Sequence, residues 1–323
     1  MENLRKRYHW IDIGEDARRQ FIDAQAVFTA WEDAGKSAAE VRGGMYWKRQ
    51  GETEYLIRTS PQNTQKSLGP RSDEKVSIFE KFIARKEQAE KRLSDLTREL
   101  ERHQRMNRAL RVGRAPRLLV DILNKLSKSG LSDYFTVVGT HALYAYEAAA
   151  GVQFGNADAL ATRDIDLLLD TRKRLSFMTQ MGQLGSSMLE LIKKVDSTFE
   201  IRQDQKYTAV NSKGFEVDII RREATEGDPH PLRLTDDEDD FYAVQSKRAG
   251  VLLDGPRFSS MIVSVSGHMA RMNTISPLVF VTFKRWMAEQ SDRDPMKRRR
   301  DKLQADLVEE LLEEYLPHLL VRP

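Results

Sequence analysis

Three aspartates stand inside stretches that otherwise read as buried β-strand. Asp164 and Asp166 alternate with apolar residues in Thr162-Arg163-Asp164-Ile165-Asp166-Leu167-Leu168-Leu169, and Asp218 interrupts Phe215-Glu216-Val217-Asp218-Ile219-Ile220. A carboxylate is costly to bury unless it is paired, protonated or bound to a metal. Strand residues two apart share a face, so Asp164 and Asp166 project together while Ile165 points into a core. By the same alternation Glu216, Asp218 and Ile220 share one face, and Val217 and Ile219 the other. Two neighbouring carboxylates repel, and a divalent cation removes that repulsion. Aspartate oxygens suit Mg²⁺. If the two strands are neighbours, Asp218 completes a three-carboxylate cluster able to hold two metal ions. The alternative, a strand-end pair facing solvent, fits poorly with the run Ile165, Leu167, Leu168 and Leu169.

Upstream, the β-run Tyr134-Phe135-Thr136-Val137-Val138 ends at Gly139-Thr140, and His141 to Ala150 reads as a helix. Glycine lets backbone approach a phosphate closely, and a helix N-terminus offers free N–H donors. Thr140 can cap the helix and donate its hydroxyl. A Gly-Thr pair alone says little; its position ahead of the aspartates gives it weight. Rival chemistries lack their residues. Leu168 occupies the threonine position of an Asp-x-Asp-x-Thr phosphatase motif, the six histidines show no H-E-x-x-H spacing, and no G-x-x-x-x-G-K-[ST] loop occurs.

The flanks read as mostly helical. A helix is expected over about residues 15–40, then a hairpin from Met45–Lys48 and Glu54–Arg58, then a polar loop from Thr59 to Ser72. A long helix follows from Ser72-Asp73-Glu74 to about residue 110. Its residues Ala89, Leu93, Leu96 and Leu100 form a short heptad-like seam, read as intramolecular packing ahead of a homodimer through residues 73–110. After Gly113 and Pro116 the expected order is α-β-α-β-α-β-β-β, an α/β (α+β) sandwich core. Residues 224–240 read as an acidic loop, and helices are expected over Pro277–Glu289 and about Pro295–Leu316. The domains expected are 1–115 (helical, with a hairpin), 116–255 (catalytic core) and 256–323 (helical). Within 1–115, Arg42, Tyr46, Trp47, Lys48 and the loop Gln65 to Arg71 offer an acceptor-recognition surface, against the alternative of a hairpin packed on the long helix.

Composition bounds the rest. The 323 residues carry 52 basic and 49 acidic side chains, a balance that allows a polyanionic partner without demanding one. Zero cysteines exclude disulfides and thiolate metal sites. No apolar run reaches membrane-spanning length and the charged start is not a secretory signal, so a cytoplasmic protein without membrane contact is expected.

The order apolar strand, Gly-Thr, helix, Asp-x-Asp strand and later lone-Asp strand resembles the nucleotidyltransferase superfamily, the polymerase-β-like fold. Gly139 to Glu147 followed by Ala161 to Asp166 is similar to a bacterial family of stand-alone nucleotidyltransferase-fold proteins. Pro277 to Lys284 and Lys297 to Leu307 resemble the helical segment of minimal nucleotidyltransferases and of abortive-infection-type toxins. Thr140 stands where serine is commoner, with the hydroxyl retained. The resemblance is strongest over residues 134–220 and leaves 1–115 unexplained. It implies a mixed sheet core with Asp164, Asp166 and Asp218 as catalytic residues and ligands of Mg²⁺ (a two-metal site, Mn²⁺ as substitute). Gly139, Thr140 and Lys284 would bind the nucleotide, although Lys284 reads equally well as a solvated lysine. Arg163 reads as structural ahead of phosphate-binding; Lys297, Arg298 and Asp301 read as a solvated helix face, from which one could meet phosphate. The implied reaction is transfer of a nucleoside monophosphate from an NTP such as ATP to an acceptor hydroxyl. That acceptor would be RNA (a tRNA end, for instance), protein or a small molecule, with a toxin-like role as one version. The alternative is a non-catalytic nucleotide- or RNA-binding module on the same fold.

Overall fold

The computed structural model describes residues 10–61 and 63–320. Contacts divide the chain into Arg19–Leu110 and the remainder. Among the described residues no helix is long and apolar enough to cross a membrane.

The remainder is a mixed sheet clad by helices on both faces, nine strands being counted among the described residues. Its main path runs Leu232–Arg233, Tyr242–Gln245, Glu216–Arg221, Asp164–Leu169, Phe135–Val138, Met269–Ile275 and Arg257–Val263. Glu216–Arg221 lies parallel to Asp164–Leu169, which is antiparallel to Phe135–Val138. Two short strands, Glu200–Ile201 and Thr208–Val210, extend the edge beside Glu216–Arg221. One face packs Ile165, Leu167, Val217 and Ile219 against the helix Arg117–Lys128 and its neighbours. That helix buries Leu119, Val120, Ile122, Leu123 and Leu126, whose transfer from water is worth roughly 10 kcal/mol in all. The other face packs Val138 and Leu168 against the helices Ala142–Ala150, Pro277–Glu289 and Pro295–Glu314. The aspartates lie on this second face, where the apolar cover ends.

The mixed α/β class and most core elements follow the sequence. Four features depart from it. Residues 170–193 form two helices, Arg174–Leu184 and Met188–Lys193, where one is expected. The stretch 256–323 opens with an antiparallel hairpin, Arg257–Val263 with Met269–Ile275, before its helices. Thr274 donates from Oγ1 to the Val137 carbonyl at 2.6 Å, tying that hairpin to the central strand. The acidic stretch 224–240 contains the short strand Leu232–Arg233. Finally, Trp10–Asp12 pairs with Val152–Phe154, and the Trp10 ring meets those of Phe154 and Tyr315.

Arg19–Leu110 holds most of the helix Glu15–Glu40, a three-stranded antiparallel sheet and the helix Asp73–Ala109. Ser72 caps the long helix by accepting from the Lys75 amide. Gln20 donates to Asn107 at 2.9 Å and Trp31 to Thr97 at 3.2 Å, joining the two helices. The residues expected to loop before Ser72 include a third strand, Gln65–Pro70, paired to Thr53–Thr59. A register shift between Leu56 and Ile57 accommodates the strand, and Pro70 is its last residue, where a missing N–H is tolerated. Trp47 packs on Phe79 of the long helix with Arg71 over its ring, as the reading of a hairpin packed on that helix expects.

Candidate active site

The parallel register sets Asp218 opposite Asp166 and Glu216 opposite Asp164. Ile165, Leu167, Val217 and Ile219 are fully buried on the opposite face, so alternation leaves the four carboxyl groups together. Across the other edge, Asp166 pairs with Val138, the residue before Gly139. Gly139 has φ +70°, and a Cβ there would lie closer than 3.0 Å to the Asp166 Oδ2. Glycine is therefore required twice, by the left-handed backbone and by the carboxylate packed against it.

Hydroxyls orient two of the carboxylates. Thr162 donates to Asp164 Oδ1, and Thr208 Oγ1 donates to Asp218 Oδ1 at 2.5 Å. Glu216 is engaged by Arg202 at 3.1 Å. Burial pushes Asp166 up to about 7, and the charges of Asp164 and Asp218 push in the same direction against the pull of Lys284 and Arg293. Asp218 is also raised, chiefly by burial, with Asp164 and Glu216 adding to it and the Thr208 hydrogen bond opposing. The pocket thus favours an added positive charge near Asp166.

Thr140 is buried, and its Oγ1 accepts from Gln304 Nε2 at 3.1 Å; the same amide donates to the Ala159 carbonyl at 2.6 Å. His141 is buried with neither ring nitrogen hydrogen-bonded. Burial lowers its pKa to about 4, with Asp164 opposing, so the ring is neutral at pH 7. It sits against Tyr144 and Phe215 as a packing residue.

Lys284 is not a solvated lysine. Its Nζ donates to Asp301 Oδ1 at 2.7 Å inside the protein, and Arg293 binds the second oxygen of that carboxylate. Asp301, expected on a solvated helix face, is completely buried. The reason is the preceding helix, which delivers a cation to it from 17 residues away. Burial lowers the Lys284 pKa, with the charges of Asp301 and Asp166 opposing. Lys284 and Arg293 thus act on Asp166 through the field, held by Asp301. Arg293, Asp301, Gln304 and Thr208 are the site residues that sequence reasoning did not assign. Only Thr208 had a local signal, a hydroxyl in a short apolar strand; the others depend on helix packing.

Beside Asp164 lies a cavity of about 530 Å³ lined by Ala161, Thr162, Arg163, Asp164, Lys297 and Arg300. Lys297, expected on a solvated helix face, is exposed at the rim of this cavity, and Arg163, expected as structural, lines it from the strand side.

Hard oxygen donors, mutual repulsion and the raised proton affinity of Asp166 fit a divalent cation such as Mg²⁺. As the side chains stand, no three His, Cys, Asp or Glu groups among the described residues form a metal-holding cluster. The register supplies neighbouring carboxylates, and their side chains would have to turn to converge. Gly139, Thr140, Asp164, Asp166 and Asp218 thus come together around one strand end, and Lys284 reaches them from behind.

A family model described as Nucleotidyltransferase matches residues 117–322, well over half of the chain. No curated protein and no solved structure matches it.

Proposed function

Because the chain belongs to the nucleotidyltransferase family, we propose that it is a Mg²⁺-dependent enzyme that transfers a nucleoside monophosphate from an NTP to an acceptor hydroxyl. The observation that carries this reading is the register placing Asp218 beside Asp166, with Gly139 packed on the same carboxylate. Mg²⁺ held by Asp164, Asp166 and Asp218 would supply Lewis-acid charge to the triphosphate and lower the pKa of the attacking hydroxyl.

The protein's own contribution is positioning and electrostatics. The acceptor oxygen attacks the α-phosphorus as the bond to pyrophosphate breaks. Asp218, oriented by Thr208, would draw the acceptor's proton. Gly139 keeps the turn close to Asp166 without a side chain between them. Gln304 fixes the Thr140 hydroxyl by donating to it, which leaves the threonine proton free for a phosphate oxygen. Asp301 holds Lys284 and Arg293 as cations behind Asp166, where they favour its ionised form.

The test is to incubate the protein with each α-labelled NTP, Mg²⁺ and total cell extract, and to follow label into RNA, protein and small molecules. Asp164→Ala and Asp166→Ala should each abolish incorporation while keeping the fold; full activity in either variant would sink the proposal. One observation favours a second reading, a nucleotide- or RNA-binding module without turnover: the three aspartates do not converge as they stand. Calorimetric binding of an NTP with no pyrophosphate release across the same acceptors would favour the module.

A further inference from the structure

The final helix, Pro295–Glu314, is charged against its own dipole. Lys297, Arg298, Arg299, Arg300 and Lys302 crowd its N-terminal half, and Glu309, Glu310, Glu313 and Glu314 its C-terminal end. Cations are disfavoured near the positive end of a helix, and anions near the negative end. Asp294 caps the first turn by accepting from the Met296 and Lys297 amides, but one capping carboxylate leaves the basic run uncompensated. A locally unfavourable arrangement of this kind is expected where it serves a site.

Two of these cations line an open pocket. Lys297 and Arg300 line the cavity beside Asp164, and Arg163 lines it from the strand side. Among the described residues none of the three is in an ion pair. Arg300 is fixed by donating from one terminal nitrogen to the Ala161 carbonyl at 2.9 Å, while its buried Nε has no partner. The cavity is therefore lined by three cations and one carboxylate. Of the groups expected from sequence to meet a phosphate, Lys284 is bound to Asp301, and Thr140, accepting from Gln304, keeps one hydroxyl proton to offer a phosphate oxygen.

We propose that this cavity is the polyphosphate subsite, with Lys297 and Arg300 as a clamp on the β- and γ-phosphates of the NTP and Arg163 closing its third side. The inference rests on the transferase reading, since Asp164 shares the cavity and would carry the metal ion that accompanies a triphosphate. A guanidinium presents a fork of donors suited to two phosphate oxygens, whereas the lysine serves as a movable point charge. Lys284 then has another role: it sits behind Asp166 as a positioning charge and does not touch the phosphates.

Closely spaced phosphates could also come from an acceptor strand, so the test separates the sources. Inorganic tripolyphosphate, each NTP and a 5′-hydroxyl oligoribonucleotide are titrated calorimetrically in Mg²⁺ into the whole protein and into Lys297→Ala, Arg300→Ala and the double variant. Arg299→Ala, exposed on the same helix turn but outside the cavity, controls for general charge. The double variant should lose at least about tenfold in affinity for tripolyphosphate and for NTP, while Arg299→Ala stays within about twofold. Lys297 is exposed, so Lys297→Ala reports on the clamp even if Arg300→Ala disturbs the fold. Unchanged tripolyphosphate affinity in the double variant overturns the clamp and leaves the transferase reading standing. An oligonucleotide that suffers more than the NTP assigns the cavity to the acceptor and also overturns it. A wild-type protein that binds neither tripolyphosphate nor any NTP overturns the clamp and the transferase reading together.

Discussion

A single methyl group at Gly139 should separate the stability of the fold from the geometry of its carboxylates. In Gly139→Ala the backbone must keep φ near +70°, which disfavours an L side chain by about 1–2 kcal/mol. The added Cβ would also lie closer than 3.0 Å to Asp166 Oδ2, and 3.4 Å from its Cγ. The group in the way is a side-chain tip, so the fold can absorb the change by turning Asp166 out of place. The expected stability loss is therefore about 1–2 kcal/mol, a fall in Tm of roughly 2–8 °C. The expected activity loss is far larger, because a displacement of about 1 Å in a reacting group lowers rate on the order of 100-fold. Thermal melting and incorporation of labelled nucleoside monophosphate measure the two effects on the same sample. Adding Asp166→Ala should remove the overlap and return part of the lost stability, which a double-mutant cycle isolates from the backbone contribution. A Gly139→Ala protein that is stable by melting and keeps activity within about threefold of wild type would refute the reasoning.

Two further predictions concern buried charge. Asp301→Leu leaves Lys284 buried without its carboxylate and should cost about 3–5 kcal/mol in urea unfolding, whereas adding Lys284→Met should recover most of it. Burial works against ionisation of Asp170, but the hydrogen bond and charge of Arg172, with Arg257, outweigh it and hold its carboxyl below the usual range. Because the folded pKa lies below the unfolded value of about 3.9, the stabilisation is full above that pH and is lost as pH falls through the folded pKa. Asp170→Asn should accordingly be less stable at neutral pH and show a flatter stability profile below about pH 4 by chemical denaturation; an acid limb as steep as wild type would contradict this.

Much of the larger unit was legible because its signals are local. Period-two alternation placed Asp164, Asp166 and Asp218 on common faces, and the helix Pro277–Glu289 announced itself by Pro277 and its apolar spacing. The long helix Asp73–Ala109 began where Ser72 promised a cap. What escaped was decided by packing. Ser260 to Val263 are all buried, so the strand Arg257–Val263 ends in a run without alternation. Asp301 lies beside a basic run and looks solvated until the neighbouring helix brings Lys284 to it. Gln65–Pro70 carries loop residues, yet joins a sheet because a shifted register accommodates it. The seam Leu93, Leu96 and Leu100 gave a helix without saying what it packs on; within its unit the helix is joined to Glu15–Glu40 by hydrogen bonds.

The parallel pairing of Asp164–Leu169 with Glu216–Arg221 also governs when the site can come into being. Its two strands lie about fifty residues apart in the chain, with helices and a smaller hairpin between them, and such distant pairings form slowly. Gly139 and Thr140 can adopt their turn early, but Asp166 meets Asp218 only once the sheet is joined. Activity recovered during refolding should therefore lag behind the return of helical signal, with no partly folded species competent for transfer.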